Sequence, residues 1–546
     1  MAAVSKTYIG LSLGNHNSVI AIINKDHRAE VIANEDGEHK TPTYVAFSGE
    51  EEYHGSQAKH QFVRNAQNTI MGFRDLLGKT FTPEMNQLHP GFARIEDSEG
   101  KPVFVIETEN DNGETQQLRL SAHEVTVRYL ARLRTTAEDY LGRKIEGVVL
   151  ALPVSFTKEQ KESVAAACEE AGLPLLQLIA EPIATAMQYG VGNGASHVDA
   201  KDTLALVVDV GGTGSDATLV AARGGLYTIV GSTHTDAVSG DIVDDVLVKH
   251  FAGEFKRQYN IDVLQGNPKA VRKMKESVEY TKRTLSSAAS ATCAVESLAE
   301  GLDFNGSIQR TRFDIMSGKV YTPLLESIEK VIADAGYTPA QVDQVLLCGG
   351  AARLRKLQSR IAGFFPETTE VRDEGELDEV IAAGCAEQAA LIAQGSVAAP
   401  KEAAAAEDLA VEALARPLGI QLGEDNFVPV LLQDTPLPAS RSVKVALPHG
   451  QKRAYVAVAE GEAVAPKPEE DDEEAEEAED EEEEEEQAAL PLFRPAKLLA
   501  EMVLELDQAD ENTRVAITFF VGTDRKLTVT ASEPVSGKSI TAEIPQ

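Results

Sequence analysis

Positive charge is in short supply: 51 Lys and Arg stand against 87 Asp and Glu, a formal charge of −36 over 546 residues. The deficit is partly local. The run 469–486, "EEDDEEAEEAEDEEEEEE", holds 16 of the acidic residues, so the remainder of the chain still carries −20 of the −36. That balance excludes a broad basic footprint for nucleic acid. Long apolar runs are missing too: no 18 consecutive apolar residues occur, so no membrane span is expected. The opening "MAAVSKTYIG" lacks an apolar signal core and moves at once into a strand pattern. Cysteine is scarce and scattered. Cys168, Cys293, Cys348 and Cys385 form no CxxC pair and sit in apolar contexts, which predicts buried free thiols in a reducing compartment. The 11 histidines include no HExxH, and neither a GxSxG elbow nor a Walker A lysine motif is present, which disfavours zinc and triad chemistry.

What is present is long enough for two to four domains. From Thr7 to about Gln394, strand-like and helix-like stretches alternate, as in an α/β class with mixed or parallel sheets. "TLALVVDV" (203–210) and "VDQVLLCGG" (342–350) read as buried strands followed by glycine. "TKEQKESVAAACEEAG" reads as a helix with a Thr157–Gln160 capping box and Gly172 closing it. "YIGLSLGNHNSVIAI" and "LALVVDVGGTGSDATLV" share one plan of strand, small-residue turn and strand, which predicts two lobes facing a cleft. After Gln394 the alanine-rich stretch 395–415 reads as a linker. From Arg416 short alternating strands predict an all-β module, with the acidic run inserted as a solvated loop.

Several turns offer chemistry. "DVGGTGSD" combines Asp209 with Gly211, Gly212 and Gly214, so successive backbone N–H groups can point into one concavity and receive phosphate oxygens. Asp209 is a candidate to hold magnesium through water, and Glu181, in "LIAEPIATA", offers a second carboxylate. Glu181 reads equally well as a plain helix N-cap. Gly349 and Gly350 lie between a strand and a helix start, which suits close backbone approach to a base or phosphate. Glu279, Lys282, Arg283 and Ser286 share one helix face, which is a ligand face or a polar solvent face. The first hairpin is different: Ser12 and Leu13 lead into its Gly14 turn where a magnesium-dependent phosphate site wants an acid.

In order, these motifs resemble the DnaK-type, seventy-kilodalton heat-shock chaperone family. The likeness rests also on "VIANEDGEHKTPTYVAF", "IAEPIATAMQYG", "HFAGEFKRQYNIDV" and "VLLCGGAARLRKLQ", and covers nearly the whole chain. It implies an α/β actin-like two-lobed ATP-binding domain over 1–394, a linker over 395–415, and a β-sandwich of substrate-binding type over 416–546 with its acidic insert at 469–486. On the adenosine side the resemblance assigns Glu279, Lys282, Arg283, Ser286, Gly349, Gly350, Arg353 and Asp378. On the phosphate side it keeps Gly14, Glu181, Asp209, Gly211, Gly212 and Asp216. It departs where Ser12 replaces an aspartate, Asn15 and His16 replace two threonines, Thr213 and Gly214 invert Gly-Thr, and Arg74 stands for the lysine that orients the attacking water; Asn15, His16 and Thr213 are still expected among the nucleotide-binding residues. Asp209 and Glu181 remain for magnesium, in a weakened site.

An arginine fork is not a compact ammonium, and a misplacement of about 1 Å can cost ~100-fold in rate. The expectation is ATP binding with little or no hydrolysis. The interdomain segment keeps Leu409, Val411 and Leu414 without the family's leucine run, and no helical lid is expected. These departures resemble the atypical Ssz branch of the family, a subunit of the fungal ribosome-associated complex. That likeness implies a cytoplasmic partner of a zuotin-like J-domain protein at the ribosome, assisting nascent chains by stimulating a separate chaperone. No direct nucleic-acid contact is expected. The competing readings are an active ATP-hydrolysing peptide-binding chaperone and, disfavoured by the β-module, a sugar kinase of the actin-like superfamily.

Overall fold

The computed structural model describes residues 7–88, 91–109, 115–192, 202–223, 226–394, 412–423, 426–446, 451–463, 493–506, 513–522, 524–533 and 537–544. Two sheets with the same topology form its first part. In one, β1 (Tyr8–Leu13), β2 (Asn17–Ile23) and β3 (Ala29–Val31) are an antiparallel meander. Its inner edge continues in parallel through β4 (Gly147–Leu152) and β5 (Leu175–Ala180). In the other, β6 (Thr203–Val210), β7 (Ser215–Arg223) and β8 (Leu226–Thr235) form the meander, and β9 (Gln344–Cys348) and β10 (Glu370–Arg372) the parallel extension. The internal repeat seen in the sequence is therefore a repeat of topology, and the two-lobed actin-like architecture follows from it.

Burial explains why these segments are strands. All six residues of β4 and seven of eight in β6 are buried, as expected for parallel or central strands covered on both faces. Each lobe has its own core, one around Leu11, Phe73, Tyr129 and Leu150, the other around Leu206, Phe251, Met274 and Leu347. The helix Lys158–Glu170 has the capping box Thr157–Gln160, and Gly172 at φ +67° follows its end.

The lobes are joined at their base by α1 (Glu181–Gln188) and α4 (Val380–Ala393), with α2 (Gly240–Tyr259) and α3 (Pro268–Ser287) on the second lobe. Helix α4 crosses β1 and α1 at contact distance. A Cβ on Gly10 would lie 2.2 Å from the Ala386 nitrogen, and one on Gly384 would lie 1.9 Å from the Ala184 oxygen. All four cysteines are free and buried, as expected.

Among the described residues eight strands follow, in two four-stranded sheets. Their order is β12–β11–β14–β15 and β13–β16–β17–β18, from β11 (Leu418–Gln421), β12 (Phe427–Leu431), β13 (Ala439–Ala446), β14 (Arg453–Ala463), β15 (Phe493–Glu505), β16 (Arg514–Val521), β17 (Leu527–Ser532) and β18 (Ser539–Ile544). Their alternating pattern buries one face of each sheet in a shared core with Leu431, Val458, Phe519 and Val529. Leu414, in the stretch read as linker, packs into this core, and Glu412 pairs with Arg525, so the β-module's contacts begin there. Leu409, Val411 and the acidic run 469–486 lie outside the described residues. Among the described residues no helix is long and apolar enough to cross a membrane.

Candidate functional site

The two hairpin turns meet across the cleft between the lobes. In the first, Gly14 N donates to Asn17 O at 3.2 Å, which aims Asn15 and His16 at the opposite lobe. In the second, Gly211 N donates to Gly214 O at 2.9 Å, closing the turn between β6 and β7. The start of α2 is tied to that turn by Gly240 N to Gly211 O and Asp241 N to Gly212 O, both 2.9 Å. The Asn15 amide nitrogen donates to Thr213 Oγ1 at 3.0 Å and to Asp75 Oδ2 at 2.5 Å. His16 Nε2 faces Asp241 at 3.1 Å. Its ring lies so close to Gly212 that a Cβ there would come within 2.2 Å of it.

Beneath the turns, Glu181, Asp209 and Asp216 line one cleft with Pro153, Val154, Thr218 and Cys348. Glu181 is the first residue of α1, but it is not a cap. Ala180 holds that position without a side-chain bond, and Glu181 is turned to the cleft instead. Burial, reinforced by neighbouring carboxylates, raises both Glu181 and Asp209 above the ordinary carboxylate range; Arg74 opposes this without overcoming it. Asp216 is bonded to His234 Nδ1 at 3.0 Å, and His234 Nε2 reaches Asp236 at 2.9 Å. The Asp216 hydrogen bond leads the effects that push the His234 imidazole up to about 9.

Arg74 is held rather than free. Its Nη1 donates to Leu13 O at 2.9 Å and weakly to Glu181 at 3.4 Å, while Nε donates to Asp75 at 2.9 Å. The guanidinium also lies 5.5 Å from the Phe156 ring centroid. Ser12, on β1, is placed opposite Val19 and beside Ala151 in the sheet, immediately before the Leu13 carbonyl that Arg74 takes.

On the far side, Gly349 has φ +85°, and a Cβ there would sit 2.3 Å from Asp209 Oδ1, so the strand-to-turn backbone runs against the carboxylate. Arg353 bonds Asp378 at 2.5 Å and also Glu376, while Lys40 pairs with Asp378. Gly350 lies beside Asp378. Glu279 pairs with Lys59 across the cleft at 2.7 Å, and Lys282 bonds Asp244 at 2.6 Å and Gly240 O at 3.0 Å. Arg355 Nε donates to Ser286 O at 2.9 Å, joining the end of α3 to the Gly349–Arg353 segment. Arg283 stays apart, more than half exposed and only 4.0 Å from Glu279.

A Cβ would not fit at Gly212, under the His16 ring, or at Gly349, against Asp209 and the Val210 carbonyl, and main chain brought this close suits a nucleotide cradle. Asn15 Oδ1 is buried with no partner, and as an acceptor it calls for water or another donor. Magnesium fits less well. Among the described residues no three His, Cys, Asp or Glu are grouped to hold a metal ion, and two of the three cleft carboxylates, Glu181 and Asp216, are met by Arg74 and His234. Sequence reasoning missed Asp75, His234, Asp236, Asp241 and Lys59. Only Asp75, next to Arg74, carried a local signal.

Comparison with known proteins agrees with this geometry. The model of the Hsp70 protein family matches residues 8–472. A heat shock protein 70 homologue of Schizosaccharomyces pombe is 36% identical over 98% of this chain and 94% of its own. The ribosome-associated complex subunit SSZ1 of Saccharomyces cerevisiae is 35% identical, over 84% of each chain. The ribosome-associated molecular chaperone SSB of Candida glabrata is 31% identical over 84% of this chain and 72% of its own. With two matching lobes, a glycine-lined cleft between them and a β-module beyond, the chain belongs to the Hsp70 family.

Proposed function

We propose that this chain is an Hsp70-type subunit of a ribosome-associated chaperone complex, which binds ATP with little or no turnover and works as a stable partner of a zuotin-like J-domain protein. In this reading it is cytoplasmic, reaches the ribosome mainly through that partner, and assists nascent chains by stimulating the ATPase of a second chaperone. The names of two relatives, the ribosome-associated complex subunit and the ribosome-associated chaperone, support the ribosomal setting. The acidic surface supports contact through a partner rather than directly with RNA.

The observation that carries the enzymatic half is Arg74. Of the five N–H donors of a guanidinium, three are committed to Leu13 O, Asp75 and Glu181. A side chain locked to its own lobe, and 11% exposed, cannot swing to align a water molecule with a terminal phosphate. Hydrolysis depends on that alignment. Binding draws instead on Glu279, Lys282, Ser286, Gly349, Gly350, Arg353 and Asp378, spread over three segments, and tolerates the change.

Single-turnover incubation of the purified chain with ATP, with bound ATP and ADP quantified over hours, tests this. ATP that stays intact, at least ~100-fold slower in conversion than an ordinary family member, is the expected result. Conversion at the ordinary rate would make the chain a working chaperone ATPase and overturn the adaptor reading.

A further inference from the structure

Four of the residues that depart from the family pattern, Arg74, Asn15, His16 and Thr213, are not scattered. With Asp75 and Asp241 they make two runs of contacts that reach across the cleft. Arg74 Nη1 holds Leu13 O at 2.9 Å and Arg74 Nε holds Asp75 at 2.9 Å. Asp75 accepts from Asn15 at 2.5 Å, and Asn15 donates on to Thr213 of the second lobe at 3.0 Å. A second strand of the same connection runs from His16 to Asp241 at 3.1 Å. Asp241 is itself bonded through its N–H to Gly212 O at 2.9 Å, and the His16 ring rests on Gly212. His16 is anchored behind by Thr43 N to His16 O, also 2.9 Å.

Independent loss of a phosphate site has no reason to produce matched partners 198 and 225 residues apart. Nor would it bury the amide that joins them: Asn15 is 7% exposed, with both N–H groups of its nitrogen engaged. Hydrogen bonds that include a charged partner, as at Asp75 and Asp241, are the stronger kind.

We infer that Arg74, Asp75, Asn15, Thr213, His16 and Asp241 form a strap that holds the two turns together directly, so that closure of the cleft does not depend on nucleotide. In a cleft bridged by its ligand, removing the ligand lets the turns part. Here side chains make the bridge, and ATP adds to a closed state rather than creating it. The inference rests on the nucleotide reading only for what ATP adds.

Hydrogen exchange of the full-length chain, stripped of nucleotide and then with ATP restored, reads this at peptides covering 10–18 and 209–216. Exchange in the core strand β4 serves as the internal reference, so a variant that merely loosens the whole fold is recognised. In the wild-type chain, ATP is expected to change turn exchange by less than about threefold. In Asn15→Thr/His16→Thr the stripped turns are expected to exchange about tenfold faster relative to β4, with ATP restoring protection. His16→Gln, which keeps a donor toward Asp241, should stay near wild type. A stripped wild-type chain whose turns are open, gaining about tenfold protection from ATP, would overturn the strap. So would a double variant whose turns exchange like wild type. A variant that opens but gains nothing from ATP would uphold the strap and overturn the nucleotide reading instead.

Discussion

At the scale of single residues, His234 sets a positive charge beside the carboxylates of the cleft. It stands at the end of β8, against the Gly214 turn, with one ring nitrogen on Asp216 and the other on Asp236. Each nitrogen faces a carboxylate, so the doubly protonated ring is the favoured form, and its pKa rises to about 9. A histidine raised from about 6.5 in the unfolded chain adds stability that is complete below that value and disappears as pH climbs through about 9. The ring is 44% exposed, so solvent screening cuts the nominal shift energy to about 1 kcal/mol. Calorimetric melting at pH 6.5 and pH 9 should therefore show wild type losing about 1 kcal/mol more than His234→Ala across that window. Equal losses in the two proteins would mean the ring is not held as a cation.

At the scale of elements, two neighbouring glycines separate backbone demand from mere smallness. Gly349 links β9 to the turn that faces Asp209. Its φ of +85° disfavours any L side chain, and a Cβ would collide with Asp209 Oδ1 at 2.3 Å and Val210 O at 2.5 Å. Gly350 has nothing nearer than Asp378 Oδ2 at 3.9 Å. Gly349→Ala should cost the nucleotide lobes about 2–4 kcal/mol, the range of strain and overpacking combined. Gly350→Ala should stay within about 0.5 kcal/mol. Chemical denaturation of both variants decides it, and equal stability would show that the turn can move aside.

The same scale explains what could be read from sequence. Elements were legible wherever local pattern dictates burial: the eight β-module strands from their alternation, β6 from its apolar run, the helix at Lys158–Glu170 from its cap. The glycine turns were legible because few residues tolerate them. The pairings Asn15–Thr213, His16–Asp241 and Asp216–His234 were not, since each partner reads as an ordinary polar residue until topology brings two hairpins face to face. Glu181 shows the converse. Its place at a helix start suited a capping residue as well as a site carboxylate, and the cleft geometry decides for the second.

At the scale of the whole molecule, the β-module rests on the second lobe through partly buried polar contacts. Tyr337 Oη donates to Asp434 Oδ2 at 2.6 Å, Arg223 Nε donates to Gln433 O at 3.4 Å, and Arg441 pairs with Asp202. Arg223 is 3% exposed. Burial raises both the Tyr337 phenol and the Asp434 carboxyl. Asp434 sits in a left-handed turn at φ +60°, a conformation that directs it at the lobe. Arg223 lies at the far end of β7 from Ser215, so the lobe's glycine turn and the docking contact share one strand. Small-angle scattering of Tyr337→Phe/Arg441→Ala should show a larger radius of gyration than wild type. Each lost partner leaves a buried acceptor costing about 1–3 kcal/mol, more than a small polar interface retains. An unchanged radius would mean that the Tyr337 and Arg441 contacts do not hold the module in place. If the radius does grow, nucleotide binding measured in the same variant shows whether β7 transmits anything. Unaltered affinity would mean that the module is carried by the lobe without being read by it, the behaviour suited to an adaptor whose cleft is already closed.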